Sequence, residues 1–230
     1  VHYWAARVAP DSSAAVAARA AVTPASAKEI DAAEWLRVGQ ARKRLTYSYA
    51  RDLLGELVDL WEAGKLATWT LVLVRHGRAV KRSVWNRPKE RDKEPDEATR
   101  PLTHDQGETR ARALVPILAA YGGGRVLTSP GKRWVDTVAP YATAAGLPLE
   151  MAGAFTEMAH AKNPKGVRSV VKKVLGVREE PTALCTHRPV LPTIMEVVSQ
   201  YAPGRLLRSV PDRDPWRKTG EILVVHMARR

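Results

Sequence analysis

The stretch WTLVLVRHGRAV, Trp69 to Val80, sets an apolar run directly against charge. Its residues Thr70–Val74 have the length and the apolar content of a buried strand. Arg75, His76 and Gly77 follow without a break, so a cation, a titratable imidazole and a conformationally free residue stand at the strand end. Ligands of open α/β sheets bind beyond the carboxyl ends of the strands. The sequence therefore predicts a functional site at this strand end.

The bulk composition is that of a globular chain. Of the 230 residues, 45% are hydrophobic, which supports a core and excludes a disordered chain. No apolar run approaches the roughly 20 residues of a membrane span, and the first residues lack the pattern of a signal peptide. The single cysteine, Cys185, excludes an internal disulfide framework and is compatible with a reducing setting. We therefore expect a cytoplasmic protein without a membrane partner.

The formal net charge of +13 indicates either an anionic partner or a solvated, Arg-rich surface. Nucleic acid and a phosphorylated small molecule are the two anionic partners to weigh. The sequence has no RNA-binding aromatic motif and no repeated basic helix face, so nucleic acid is the less favoured of the two. A phosphate held in a pocket stays open at this point.

Beyond Trp69 the chain alternates between strand-like and helix-like segments. The strands are TLVLV, RVLTS, TALCT and EILVVHM, and the segments between them have helical spacing, such as GKRWVDTVAPYATAAG and PVLPTIMEVVSQY. Thr103 and Gln106 form a capping-box pair at the start of the first of these helices. This alternation predicts an α/β fold, a mostly parallel sheet with helices on both faces.

The part before Trp69 has a different pattern, which suggests a separate domain. VHYWAARV and EIDAAEWLRV are strand-like, and an Ala-rich stretch between them, residues 11–27, is interpreted as a loop or an arm. Thr46 to Trp61 has helical spacing, and a junction follows at residues 63–68. We therefore expect one domain over residues 1–66 and a second over residues 67–230.

Three strand ends in the second domain carry groups suited to phosphate. Arg75 and His76 follow TLVLV, Arg133 comes one short turn after RVLTS, and His187 follows TALCT. Two imidazoles and two guanidinium groups suit a tetrahedral, doubly charged phosphoryl group, because the planar fork of arginine makes two charge-assisted bonds at once. A single histidine at a strand end is more often an ordinary structural residue, but the shared placement favours a site. The other histidines lack such company: His2, His104, His160 and His226.

Four segments together resemble one family. LVLVRHGRA, RPLTHDQG, LTSPGKRWVDT and LCTHRPVLP occur in this order, and the set is similar to the motifs of the histidine phosphatase superfamily, which has the phosphoglycerate-mutase-like fold. The RPLT and SPxxR segments resemble its small, SixA-like branch most closely. The resemblance covers roughly residues 69–228.

This resemblance implies a role for each matched residue. His76 resembles the nucleophile that becomes phosphohistidine, while Arg75, Arg133 and His187 match the residues that hold the phosphoryl group. Gly77 would let the backbone turn close to the ligand. No metal or other cofactor is required for this step.

One more acid and one loop are site candidates. Glu157 falls where many members of the family keep a proton-donating acid, which SixA-like members often lack. The loop between the predicted strand TLVLV and the RPLT segment carries Trp85, Lys81 and Arg87. The tryptophan could stack a base, and the two cations could hold a polyphosphate. The same loop could equally be solvated and mobile, and the sequence leaves both interpretations open.

Residues 1–66 resemble the second half of a Nudix hydrolase domain. The R-E-x-x-E-E box that supplies the Mg²⁺ carboxylates is absent, so Mg²⁺ is expected only for an intact Nudix domain. A Nudix domain followed by a histidine phosphatase domain is the layout of actinobacterial MutT-type nucleotide-sanitising enzymes. That layout makes the chain look like a fragment, completed by the missing Nudix part or by another copy of the protein.

Three hypotheses about function follow. The first is a phosphohydrolase that removes a terminal phosphate from nucleotides through a phosphohistidine at His76. The resemblance implies 8-oxoguanine nucleoside triphosphates and dinucleoside polyphosphates as its substrates. The second is a SixA-like protein phosphohistidine phosphatase that uses the same residues. The third is a non-catalytic module that regulates a Nudix partner.

Overall fold

The computed structural model describes residues 3–23, 26, 28–87, 97–177, 179–208, 210 and 218–228. The chain divides into two compact units. The first comprises Val1–Val8, Ala20–Thr68 and Met227–Arg230, and the second comprises Ala9–Arg19 and Trp69–His226. The division after Thr68 lies next to the expected junction, and the assignment of residues 1–66 to a Nudix-like domain stays a prediction.

A five-stranded sheet is the centre of the fold. Its strands are β1 (Thr68–Arg75), β2 (Arg125–Thr128), β3 (Leu149–Met151), β4 (Thr182–Thr186) and β5 (Ile222–Ala228), in the order β3-β2-β4-β1-β5. The pairs β1–β4, β2–β4 and β2–β3 are parallel. The predicted α/β fold with a mostly parallel sheet is therefore confirmed.

The central strands are apolar because both of their faces are covered. All five residues of β4 are buried, and β1 is buried from Trp69 to Val74. Val72 and Val74 pack in one core cluster with Leu114 and Val138, which lie on two of the flanking helices. Alternate residues of β1 point to the opposite face, and there Leu71 is buried as well.

The helices predicted after each strand are present. They are α5 (Thr109–Ala120), α6 (Lys132–Ala145), α8 (Pro164–Gly176) and α9 (Leu191–Ser199). The short elements α4 (Arg82–Trp85), α7 (Glu157–Lys162), α10 (Gly204–Leu207) and β3 were not predicted, because three to six residues are too few to show a period. No helix in the described ranges is long and apolar enough to cross a membrane.

The Ala-rich stretch near the N-terminus is partly ordered rather than a plain loop. It contains the helix α1 (Ala14–Ala17), whose first turn is capped by the Ser13 hydroxyl, 3.3 Å from the Val16 amide nitrogen. The short alanine side chains allow this helix to pack against α5 and α6, and Ala18 is buried there.

The two strands predicted before residue 45 are wrong. The described residues of VHYWAARV and EIDAAEWLRV form no strand, and Trp4 and Trp35 are 82% and 90% exposed. Alternating apolar residues form a strand only where another strand pairs with them, and the described residues provide none here. The first unit instead has the helices α2 (Val38–Arg44) and α3 (Ser48–Glu62), of which α3 was predicted.

The predicted capping-box pair of Thr103 and Gln106 does not form, although Thr103 caps the helix in another way. The Thr103 hydroxyl accepts a hydrogen bond from the Gly107 amide at 3.0 Å, so Thr103 caps the first turn, which has π-helical hydrogen bonds over His104–Glu108. The Gln106 side chain does not reach back to Thr103 but accepts a hydrogen bond from Arg78. The turn is thereby tied to the segment that follows β1.

Gly107 has no room for a side chain. A Cβ atom at this position would lie 2.3 Å from the Arg78 carbonyl oxygen, which is backbone and cannot move aside. We expect Gly107→Ala to lower the free energy of unfolding by about 1–3 kcal/mol. Gly176→Ala is the matched control, because no atom lies within 4 Å of that Cβ position. Chemical denaturation of both variants measures the effect, and equal stabilities would contradict the close contact.

Candidate active site

The parallel sheet brings the predicted site residues together at one edge. Arg75 at the end of β1 is in register with Thr186 at the end of β4, and the His76 amide donates to the Thr186 carbonyl at 3.1 Å. His187 directly follows β4. Arg133 lies in the first turn of α6 and reaches the same edge of the sheet.

A short chain of hydrogen bonds joins the turn after β1 to α6. The Gly77 amide donates to the Thr137 hydroxyl oxygen at 2.9 Å, and the Thr137 hydroxyl donates to the Arg133 carbonyl at 2.6 Å. A Cβ atom on Gly77 would lie 3.1 Å from the Gly107 carbonyl oxygen, so a side chain would fit there only with a shift. Gly77 therefore serves close backbone packing.

The ring of His76 is held in one tautomer. Its Nδ1 lies 2.7 Å from the Gly77 carbonyl oxygen, which can only accept, so Nδ1 carries the proton. In a neutral imidazole the other nitrogen, Nε2, then keeps its lone pair. Nε2 has no hydrogen-bond partner among the described residues. The arrangement leaves a nucleophilic nitrogen available.

The surroundings of His76 favour the neutral ring. Burial is the main cause that lowers its pKa from 6.5 to about 3, and the charges of Arg133 and Arg75 lower it further. The Gly77 carbonyl acts in the opposite direction but is outweighed. His76 is therefore unprotonated at neutral pH.

Trp134 is a site residue that the sequence analysis overlooked. Its ring meets those of His76 and His187 edge-on, with centroids 5.9 Å and 5.2 Å apart. The Arg133 guanidinium carbon lies 3.7 Å from the centroid of the same ring, which is cation–π geometry. The ring packs so closely on Gly131 that a Cβ there would lie 2.4 Å from it. The indole therefore packs against all three of these site residues, His76, His187 and Arg133.

Arg133 is a buried cation. Only 1% of its side chain is exposed, and burial lowers its pKa to about 10, which still leaves it charged at neutral pH. Its Nη1 donates to the Glu97 carbonyl at 2.7 Å and lies 3.0 Å from Glu97 Oε1. The predicted phosphate-binding arginine therefore lies beside a carboxylate that the sequence analysis did not select.

His187 and Glu157 form a pair. His187 Nε2 donates to the Phe155 carbonyl at 2.7 Å, and its Nδ1 lies 3.2 Å from Glu157 Oε1. Since Nε2 carries a proton, a hydrogen bond through Nδ1 needs a second proton, either on that nitrogen or on the carboxyl. Burial is the main cause that lowers the pKa of His187. The geometry therefore suits proton sharing, and the role of Glu157 as an acid stays a prediction.

The loop after β1 contributes a different cation from those predicted. Lys81, Trp85 and Arg87 lie in or beside α4, where Lys81 precedes the first turn and is exposed. Arg82 in the same helix contacts Glu157 at 3.3 Å and so reaches the site. The roles of Trp85, Lys81 and Arg87 in substrate binding stay predictions, and the part of the loop from residue 88 to 96 lies outside the described residues.

Arg82, Glu97 and Arg100 form a second group that the sequence analysis missed. Glu97 is 2.6 Å from Arg100 and 3.2 Å from Arg82. The signal was present, since Arg100 belongs to the RPLT segment and Glu97 precedes it by three residues, the spacing of an ion pair on one helical turn. Among the described residues, no group of three His, Cys, Asp or Glu side chains could hold a metal ion.

A known family model matches the part of the chain that contains most of this site, although His187 lies outside the match. Residues 71–164 match the family model described as the histidine phosphatase superfamily (branch 1). The match includes Arg75, His76 and Arg133 in the positions described above. Members of this superfamily are phosphatases, which are hydrolases by class.

One relative and two structures show what the chain is similar to. The chain is 29% identical over 168 residues to a protein named 8-oxo-(d)GTP phosphatase from Mycolicibacterium smegmatis. The aligned region covers 73% of this chain and 48% of the relative. The chain thus spans about half the length of the curated relative it matches. A putative phosphohistidine phosphatase SixA from Agrobacterium tumefaciens has a TM-score of 0.47 at 18% identity, covering 70% of this chain and 99% of that one. A mycobacterial glucosyl-3-phosphoglycerate phosphatase has a TM-score of 0.45 at 14% identity, covering 63% and 85%.

The low pKa of His76 has a consequence for stability. Between about 3 in the folded chain and 6.5 in the unfolded chain, the unfolded state binds the extra proton, so the free energy of unfolding falls as the pH falls through this window. The variant His76→Gln cannot take up that proton. When the pH is lowered from about 7 to about 5, we expect its free energy of unfolding to fall by about 1–2 kcal/mol less than that of the wild type.

Urea denaturation of both proteins at the two pH values measures this difference. The comparison uses the change with pH within each protein, so that the packing cost of the substitution cancels. Identical losses in the two proteins would contradict a depressed pKa at His76.

Proposed function

We propose that the protein is a phosphohydrolase that removes a terminal phosphate from nucleotides through a phosphohistidine at His76. The observation that carries the proposal is the state of its ring. Nδ1 is held by the Gly77 carbonyl, and Nε2 is without a partner among the described residues. The neutral nucleophile lies beside the guanidinium groups of Arg75 and Arg133, whose charges act on it.

The reaction has two displacement steps. His76 Nε2 attacks phosphorus with its lone pair, and the bond from phosphorus to the leaving oxygen breaks with its electron pair. A water molecule then attacks the phosphorus of the phosphohistidine, and the P–N bond breaks with its electron pair returning to Nε2. The ring is neutral again, and phosphate leaves as H₂PO₄⁻, which carries the oxygen and both protons of the water until one proton passes to solvent. Arg75 and Arg133 would neutralise the charge that spreads over the equatorial oxygens in both transition states. His187 would join them only by releasing the Phe155 carbonyl or Glu157, its present partners.

Nucleotides are the substrates that the chemistry favours. The net charge of +13 suits a polyphosphate, and a nucleoside diphosphate is a good leaving group that needs little help from an acid. The name of the relative, 8-oxo-(d)GTP phosphatase, supports oxidised guanine nucleotides in particular, and dinucleoside polyphosphates are the related candidates. A Mg²⁺ requirement is expected only where an intact Nudix domain contributes, and a cytoplasmic location stays a prediction.

Substitution of His76 tests the nucleophile. We expect His76→Ala to lower kcat by about 10⁴-fold or more, because the residue forms the covalent intermediate. His104→Ala is the matched control, since that ring is 93% exposed. Rapid acid-free quenching with γ-³²P-labelled 8-oxo-dGTP, followed by peptide mapping, locates the phosphoryl group. A label on a residue other than position 76, or an unchanged rate in His76→Ala, would overturn the proposal.

The substrate is tested by direct comparison. We expect 8-oxo-dGTP to be hydrolysed with a higher kcat/KM than a phosphohistidine-bearing carrier protein. The reverse order would favour a SixA-like protein phosphatase using the same residues. Binding of orthovanadate without turnover of either substrate would favour a non-catalytic module.

The leaving group decides how much an acid matters. If Glu157 donates a proton to the leaving oxygen, we expect Glu157→Gln to lower kcat/KM by about 100-fold for an alkyl phosphate. For a nucleoside triphosphate, whose leaving group is already acidic, the same variant should lose only a few-fold. Steady-state rates with the two substrates measure the contrast, with Glu196→Gln as the control, because that carboxylate pairs with Arg168 instead. Equal losses for both substrates would remove Glu157 from proton transfer.

A further inference from the structure

One end of the Arg133 guanidinium is occupied entirely by a single residue. Nη1 donates to the Glu97 carbonyl oxygen at 2.7 Å and lies 3.0 Å from Oε1 of the same glutamate. The contact with the carbonyl is a hydrogen bond, and the contact with the carboxylate is an ion pair. The main chain and the side chain of Glu97 thus both contact the same nitrogen of Arg133.

The other edge of the guanidinium is left for a ligand. Arg133 Nε is buried and has no hydrogen-bond partner among the described residues. The indole of Trp134 lies against the group at 3.7 Å and restricts the tilt of its plane. An arginine binds a phosphoryl group best through two parallel N–H bonds from one edge. With Nη1 engaged, the edge formed by Nε and Nη2 is the one available.

The same carboxylate organises two further cations. Glu97 Oε1 accepts from Arg100 Nε at 2.9 Å and from Arg100 Nη2 at 2.6 Å, while Oε2 lies 3.2 Å from Arg82 Nε. Arg82 in turn contacts Glu157 at 3.3 Å, and Glu157 contacts His187 at 3.2 Å. A single carboxylate therefore connects the groups on two sides of the site.

We infer that Glu97 is a positioning residue for phosphoryl binding: it engages Nη1 of Arg133 so that the Nε–Nη2 edge faces the phosphoryl group. This inference rests on the proposed phosphoryl site but not on the identity of the nucleotide. Without Glu97, the mutual repulsion of Arg133, Arg82 and Arg100 is opposed only by Glu157 among the carboxylates that act on Arg133.

The sign of one binding change tests the inference. Glu97→Gln removes a negative charge beside three arginines, so on charge alone inorganic phosphate would bind more tightly. If Glu97 positions Arg133, we expect instead that phosphate binds roughly tenfold more weakly, because a charge-assisted contact that orients the guanidinium is lost. Isothermal titration calorimetry with inorganic phosphate measures the affinity. Tighter or unchanged binding would overturn the inference.

A matched control separates this effect from the general loss of an ion pair. Glu150 pairs with Arg125 through two contacts of 2.6 Å, and its side chain is 40% exposed, close to the 35% of Glu97. We expect Glu150→Gln to leave phosphate affinity within about twofold of the wild type. Thermal unfolding of both variants shows whether they fold. If Glu97→Gln does not fold, Glu97→Asp decides in the same way, because its shorter side chain withdraws the carboxylate from Nη1.

A second background tests whether Glu97 acts through Arg133. Arg133→Lys keeps the charge but has no second edge to orient. We expect Glu97→Gln to weaken phosphate binding by less than about twofold in this background, since interacting residues are not additive. An undiminished tenfold loss would place the effect of Glu97 elsewhere and overturn the inference. A wild-type protein that binds phosphate but hydrolyses no nucleotide would refute the proposed function alone, whereas one that binds no phosphate would refute both.

Discussion

The parallel pairing of β1 with β4 is the constraint on which the site depends. It sets Arg75 opposite Thr186, so the residues that follow, His76 and His187, leave the sheet side by side. Parallel strands end at the same edge, and a shift of register by one residue would move every side chain to the other face. The apolar residues of both strands, buried on both faces, oppose such a shift. Core packing and site geometry therefore have the same cause.

The site combines a dry environment with fixed charge. Burial keeps His76 neutral, while Arg133 remains charged because its pKa falls only to about 10, with the charges of Glu97 and Glu157 acting against burial. Charge stabilisation is strongest where donors are already oriented and water is excluded. A neutral nucleophile among oriented cations suits transfer of an anionic phosphoryl group, whatever the group that carries it.

The sequence predicted those parts of the fold and site that local patterns encode. Long apolar strands, helices of nine or more residues and a histidine directly after a strand were all recognisable. The strands expected before residue 45 were wrong, because a strand depends on a partner that alternation alone does not reveal. Trp134 and Glu97 escaped notice for a related reason. Each acts through contacts with residues that are distant in sequence, such as Glu97 with Arg133, 36 positions later.

The close packing of Gly131 against Trp134 links two positions three residues apart. Because a Cβ at 131 would overlap the indole, and because the backbone there has φ of 146°, a bulky aromatic at 134 is compatible only with glycine at 131. Replacing the indole with a small side chain would remove the steric overlap at position 131. The positive φ would still favour glycine there. Among proteins that share this turn, an aromatic residue at the second position should therefore be accompanied by glycine at the first, whereas glycine at the first does not require an aromatic residue at the second.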